Sequence, residues 1–270
     1  MSGAQNSHYV HGYTEAARFR LFEQAHSLSE MIHRDSRYSA ASRVLEAGCG
    51  SGAQSALLAS NSPGASFTCV DIDEGSLRTA RARCISQSNL RFRRADVSAL
   101  PFPDGSFDHV FVCFLLEHLP DPAAGLRELH RVVRPSGTIT VVEGDHGSVL
   151  MWPPSAAARR VIDCQIELQA EGGGDAMIGR RLFPLLSAAG FEGIQVDPRV
   201  MYADASRPER IEGFVRRTFI DMISGVRGRA VARELIDEST FDAGLAALER
   251  CTERDGSFTY GFFKAVGTRT

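Results

Sequence analysis

Nine residues, Val44-Leu45-Glu46-Ala47-Gly48-Cys49-Gly50-Ser51-Gly52, constrain the fold more than any other stretch of the chain. They run from an apolar segment through a glycine-rich turn into a helical pattern. An open parallel sheet presents backbone N–H groups to a ligand at its carboxyl edge in this way. Glycine permits the tight turn and lets a ligand approach main chain that a Cβ would shield. The spacing Gly48-x-Gly50-x-x-Ala53 also satisfies the looser dinucleotide fingerprint, so the turn by itself leaves the ligand open.

The same strand-to-helix pattern recurs along the chain. Arg43–Ala47, Ser66–Asp71, Leu90–Arg94, Asp108–Phe114 and Gly137–Glu143 read as strands, with helical patterns between them. Asp121 with Pro122 starts a helix that stops before Arg134-Pro135-Ser136-Gly137. Strand–helix–strand repetition implies a parallel sheet covered on both faces, and the strands are accordingly rich in Val, Ile, Phe and Cys instead of alternating. Thr14–Arg34 is an amphipathic helix ahead of the sheet. Beyond the fifth strand, Ser155–Ala170 and Arg180–Ala189 read as helices, Ile194–Tyr202 as a strand, 204–256 as helical, and Phe258–Val266 as a last strand. The segments at about 150–178 and 204–256 exceed a minimal doubly wound sheet and are expected to cap its ligand edge. The expected organisation is an arm or lid over 1–38 and one α/β domain over 39–270.

The 270 residues, 43% of them hydrophobic, suffice for one sizeable core. A net charge of -3 draws neither nucleic acid nor anionic membrane. The arginines at 78, 81, 83, 91, 93 and 94 lack interleaved aromatics and read as solvated faces. With no apolar leader and no span of about 20 apolar residues, a soluble, cytoplasmic protein is expected, monomer or homodimer. Six scattered cysteines without a Cys-x-x-Cys suggest buried thiols. The one lysine, Lys264, excludes a Gly-Lys-Ser/Thr phosphate loop. No His-x-x-x-His pair and no aspartate pair at the fourth strand point to a metal.

Three acids refine the ligand. Asp71 ends the second strand, where a carboxylate can accept from both ribose hydroxyls. Asp96, followed by Val97, ends the third strand, where an acceptor can meet an adenine amino group. Glu46 stands where dinucleotide folds want an apolar residue, and can serve an ammonium group. Taken together they favour S-adenosylmethionine over a nicotinamide.

Leu45-Glu46-Ala47-Gly48-Cys49-Gly50-Ser51-Gly52, Val70-Asp71-Ile72, Ala95-Asp96-Val97, Leu100-Pro101-Phe102, Ser106-Phe107-Asp108 and Leu116-Glu117-His118-Leu119 resemble, in that order, the class I methyltransferases, especially the ubiquinone/menaquinone-type branch. The resemblance covers about residues 43–145. It implies a Rossmann-like doubly wound seven-stranded sheet whose last strand inserts antiparallel. It further implies that Glu46, Gly48 and Gly50 face the methionine moiety, Asp71 the ribose, Ile72 and Val97 the adenine faces and Asp96 its amino group, with Cys49 also in the cofactor-binding set. Phe114 is expected to line the reaction chamber beside the cofactor, and His118 to lie near the cofactor as a candidate substrate contact. The amino-terminal Tyr9, His11 and Tyr13, followed by Arg20 and Gln24, resemble an arm that closes over the cofactor. Tyr13, Arg20 and Gln24 would touch its methionine end, and Tyr9 and His11 the substrate.

Glu143-Gly144-Asp145-His146-Gly147 puts an acid and a histidine at the same edge, with His146 the candidate base and Asp145 its orienting partner or a substrate contact. Trp152, Tyr202 and the aromatics Phe258, Tyr260, Phe262 and Phe263 are candidate walls of the substrate chamber, with core packing the default for the strand residues. The function expected is methyl transfer to a small-molecule acceptor at O, N or C, with no metal. A nicotinamide-dependent oxidoreductase would leave Glu46 and Asp96 without a role. A non-catalytic S-adenosylmethionine-binding sensor would keep the pocket and lose turnover.

Overall fold

The computed structural model describes residues 28–270. Seven strands form one sheet: β1 Arg43–Ala47, β2 Ser66–Asp71, β3 Leu90–Arg94, β4 Phe107–Cys113, β5 Val133–Trp152, β6 Phe191–Asp204 and β7 Ser257–Arg269. Their order is β3-β2-β1-β4-β5-β7-β6. The first five are mutually parallel, while β7 is antiparallel to both β5 and β6. The last strand therefore inserts antiparallel, as expected. An all-parallel dinucleotide sheet has no such inserted strand.

Both faces of the sheet are covered. Leu45, Ala47, Val110, Val112, Ile139 and Val141 face a core shared with α4 Pro122–Val132 and α6 Leu182–Ala188. Val44, Phe67, Cys69, Phe111 and Val142 face the other core. Side chains of adjacent strand positions point to opposite faces, and here both faces are apolar, so the strands carry no polar alternation. Helix starts are written locally. Asp73 caps α3 Glu74–Arg83 through Ser76 N, Asp121 caps α4 through Ala124 N, and Ser155 caps α5 Ala156–Glu171 through Ala158 N. At the head of α2 Ala53–Asn61, Gly52 has φ +77°, and a Cβ there would lie 2.9 Å from Ala80 Cβ. The third glycine of the turn thus lets α2 close on α3.

The second core continues into the chain beyond β5. Val161, Ile162 and Leu168 of α5, Phe214 and Phe219 of the π-helical segment Ile211–Ile220, and Phe241 of α7 Glu238–Arg250 join Phe258 and Phe262 of β7. The three antiparallel-paired strands are longer than their hydrophobic runs suggest. β5 extends from the expected Gly137–Glu143 to Val133–Trp152, with a register shift against β7 between Asp145 and Leu150. An antiparallel partner keeps supplying backbone hydrogen bonds after β4 has ended, so residues 144–147, expected as a loop, stand on a bulged strand. The expected helix Thr14–Arg34 is described only at its end, α1 Ser29–His33.

α1 is held to the sheet by buried cations. Lys264 Nζ donates to Ile32 O at 3.0 Å, Asp35 Oδ1 at 2.6 Å and Ser36 Oγ at 2.8 Å. Arg199 reaches Asp35 at 2.5 Å and also donates to Met31 O. The six cysteines are free and buried. No described helix is long and apolar enough to cross a membrane. Among the described residues no group of three or more His, Cys, Asp or Glu could hold a metal ion.

Candidate active site

The carboxyl ends of β1, β2 and β3 build one half of the site. Gly48 N and Cys49 N both donate to Val70 O, folding the turn over β2. Gly48 has φ +73°, and a Cβ there would sit 2.9 Å from a Leu115 methyl, so glycine is required by the loop after β4. Gly50 has φ +51° and nothing within 4 Å of its would-be Cβ. Its main chain lies bare beside Asp71, whose Oδ2 accepts from Gly50 N at 2.8 Å and Oδ1 from Asp73 N at 2.9 Å. Each of those oxygens keeps a lone pair for a further donor. Burial pushes the Asp71 carboxyl above its ordinary range, and the two backbone N–H groups pull it back.

Ile72, next in the chain, is 38% exposed although large and apolar. Val97 is buried, and Asp96 is exposed, its Oδ1 accepting from Ser98 N and Oγ. The cysteine of the turn, Cys49, is buried, with its thiol pushed well up by burial. Glu46 is buried as well, and Oε2 accepts from Ser55 Oγ at 2.5 Å. Desolvation pushes its carboxyl up to about 7.

The other half lies at the ends of β4 and β5 beneath the helical cap. Phe114 holds φ +54°, unusual for a bulky side chain, and packs on Phe262 at 5.7 Å between ring centroids. The next two amides, Leu115 N and Leu116 N, donate to Glu143 Oε1 at 3.0 and 2.7 Å. His118 closes the 3₁₀ turn Leu116–His118, its Nε2 3.6 Å from Glu117 Oε1; burial takes it down to about 3, so it is neutral. His146 is buried, with Nδ1 2.8 Å from the Tyr260 hydroxyl and Nε2 3.4 Å from Met222 Sδ. Burial lowers its pKa too.

Asp145 and His146, neighbours in sequence, are not partners. Asp145 accepts from Arg180 Nε at 2.6 Å and Nη2 at 2.7 Å, and from Gly147 N. Successive strand residues point to opposite sides, so one faces Arg180 and the other the cap. The orienting group for His146 is Tyr260. The same geometry corrects the expected chamber walls. Trp152 pairs across the ladder with Ser257 and Tyr202 with Thr259, whereas Phe258 and Tyr260 point the other way, into the cap. Trp152, 59% exposed, and Tyr202 are therefore on the outer face. Tyr9, His11, Tyr13, Arg20 and Gln24 lie outside the described residues.

Glu117, Gln165 and Gln169 are residues that sequence reasoning missed. Gln165 Nε2 donates to Gln169 Oε1 at 3.2 Å, and Gln169 Nε2 to Glu117 Oε2 at 3.3 Å. Two glutamines four apart on the apolar stripe of α5 were the available signal, as was a glutamate closing Val141-Val142-Glu143.

Residues 45–141 match the family model described as "Methyltransferase domain". A demethylmenaquinone methyltransferase of Clavibacter sepedonicus is 36% identical over 131 residues, 48% of this chain and 50% of that protein. Methyltransferase GfsG of Streptomyces halstedii is 30% identical over 141 residues, 51% of this chain and 50% of that protein. The chain thus spans about half the length of the curated relatives it matches. Among solved structures, Haemonchus contortus phosphoethanolamine N-methyltransferase 2 in complex with S-adenosyl-L-methionine superposes with a TM-score of 0.62 at 14% identity, covering 99% of this chain and 60% of that one. At that identity the likeness speaks to the fold. Residues 45–141 thus carry a match to a methyltransferase domain, and the sheet around them has the fold of solved methyltransferases.

Proposed function

We propose that this chain transfers a methyl group from S-adenosylmethionine to a small-molecule acceptor held between the sheet edge and the helical cap. The bare main chain of Gly50 beside the Asp71 carboxylate carries this reading, because the donor and acceptor set fits the cofactor part by part. Asp71 offers two carboxylate oxygens to vicinal ribose hydroxyls. Ile72 and Val97 offer apolar faces to a purine, and Asp96 an acceptor to its amino group. Glu46 lies below the turn, where an ammonium group would draw its carboxyl to the ionised form.

When bound, S-adenosylmethionine supplies an electrophilic methyl group on a sulfonium. The chain's own work is binding, alignment and exclusion of water. Leu115 packs on the Gly48 turn while Glu143 fixes the Leu115 and Leu116 amides, so the loop after β4 has one position. His146, unprotonated at neutral pH, and the Tyr260 hydroxyl form the acid–base pair of the chamber. Residues 1–38 act as the closing arm, and the cap chooses the acceptor. The protein works without a metal and without nucleic acid or membrane partners, in the cytoplasm.

Thermal unfolding with S-adenosylhomocysteine and with NADH tests the cofactor. A rise in Tm with the former alone is expected; a rise with NADH alone would restore the oxidoreductase.

A further inference from the structure

Buried between β5, the 3₁₀ turn and α5 is a polar group that no arginine or lysine among the described residues compensates. Glu143 is wholly buried, and its Oε2 has no hydrogen-bond partner among the described residues. Glu117, 6% exposed, stands beside it. Burial first, and then the charge of Glu117, push the Glu143 carboxyl well above its usual range. Gln165 Oε1 is a second buried acceptor without a partner, at the end of the amide chain that leads to Glu117. Buried polar atoms are nearly always satisfied, and two orphans in one cluster point to a missing donor.

No described arginine or lysine donates a hydrogen bond to Glu117, Glu143 or Gln165. Arg180, close in the fold, is committed to Asp145 in two hydrogen bonds. The two histidines nearby are held neutral by burial. In a place sealed from water the two carboxyl groups ionise together only beside a cation, so a partner that brings positive charge as well as N–H donors is the one that would satisfy both. Beside the cluster, Tyr260 stacks within 5.4 Å of Phe214 and 5.7 Å of Phe219, which gives an aromatic surface to the stem of such a group.

We propose that Glu117, Glu143 and Gln165 seat an amine of the methyl acceptor, bound as its N–H-bearing cation. A hydroxyl acceptor would satisfy one oxygen and compensate no charge. A carbonyl would bring neither an N–H donor nor positive charge. The amine seat rests on the methyltransferase reading, since it names the acceptor class for that same chamber.

The experiment uses the full chain saturated with S-adenosylhomocysteine and probes matched in skeleton, 2-phenylethylamine against 2-phenylethanol and butylamine against butanol, by calorimetry. The amines are expected to bind at least about tenfold more tightly than the alcohols. Glu143→Gln and Gln165→Leu are each expected to erase that preference, and Gln165→Leu to leave S-adenosylhomocysteine affinity unchanged. Equal binding of amine and alcohol by the wild-type protein overturns the assignment, as does a preference that survives both substitutions. Should Glu143→Gln fail to fold, the wild-type comparison and Gln165→Leu still decide. Failure of the wild-type protein to bind S-adenosylhomocysteine overturns the cofactor reading and the amine seat together. Cofactor binding without amine preference overturns the seat alone.

Discussion

His146 Nδ1 lies 2.8 Å from the Tyr260 hydroxyl, while the adjacent Asp145 is bound to Arg180 on the other side of the strand. The histidine and the tyrosine therefore act as one unit, and the aspartate belongs to the scaffold. His146→Ala and Tyr260→Phe should each lower the methylation rate on the order of 10²-fold, with the double variant no worse than either, and with unchanged affinity for S-adenosylhomocysteine. Rates from a pre-steady-state assay decide. Losses that multiply in the double variant would show two independent roles.

Asp71→Ala removes the acceptor of Gly50 N and the expected ribose contact together. A loss of about 1.5–3 kcal/mol in S-adenosylhomocysteine binding is expected from charge-assisted hydrogen bonds of this kind. Calorimetry measures it, and circular dichroism checks the fold. An unchanged Kd in a folded variant would remove Asp71 from the ribose.

Glu46 makes stability fall with pH. Its carboxyl is pushed up to about 7 from an ordinary 4.5, so between those values the folded state holds a proton that the unfolded chain has released. The folded state binds more protons in that window, and stability must therefore drop as pH rises through it, by at most about 3 kcal/mol. Glu46→Gln should flatten the slope of urea-unfolding free energy between about pH 5 and about pH 7. A slope identical in both proteins would mean that Glu46 is ionised throughout.

The anchor of α1 predicts a separable role for the residues ahead of it. Asp35→Ala leaves Lys264 and Arg199, both buried, without their shared carboxylate, and should cost about 2 kcal/mol of stability. Burial works to raise the Asp35 carboxyl, but the Arg199 and Lys264 hydrogen bonds outweigh it and hold it well below its usual range, so its contribution is present at neutral pH and fades only in strong acid. Deleting residues 1–13, in contrast, should leave the fold intact and reduce turnover, as circular dichroism and an activity assay would register. Full activity after that deletion would reduce the arm to a tail.

The glycine-turn half of the candidate site is legible in the sequence because its elements are local. Gly48, Gly50, Asp71 and Asp96 each sit within three residues of a strand end, and strand ends follow from hydrophobic runs and turn chemistry. The cap half is not. In the sequence Asp145 and His146 pair as neighbours; their place on an extended strand, which turns them apart, depends on β7, more than a hundred residues later. Trp152 and Tyr202 fall on the wrong face for the same reason: a period of two fixes which residues share a face, but only the partner strand says which face is inside. Gln165 and Gln169 read as breaks in the stripe of α5 until Glu117 stands opposite them.

Transfer of a labelled methyl group tests the central claim most directly. The protein is incubated with S-adenosylmethionine carrying a deuterated methyl and with the small-molecule fraction of a cell extract, and S-adenosylhomocysteine and labelled products are followed by mass spectrometry. Formation of S-adenosylhomocysteine together with a labelled amine, abolished by Asp71→Ala, is the predicted result. Cofactor binding with no S-adenosylhomocysteine formed above the protein-free rate would contradict it and leave a binding protein that does not turn over.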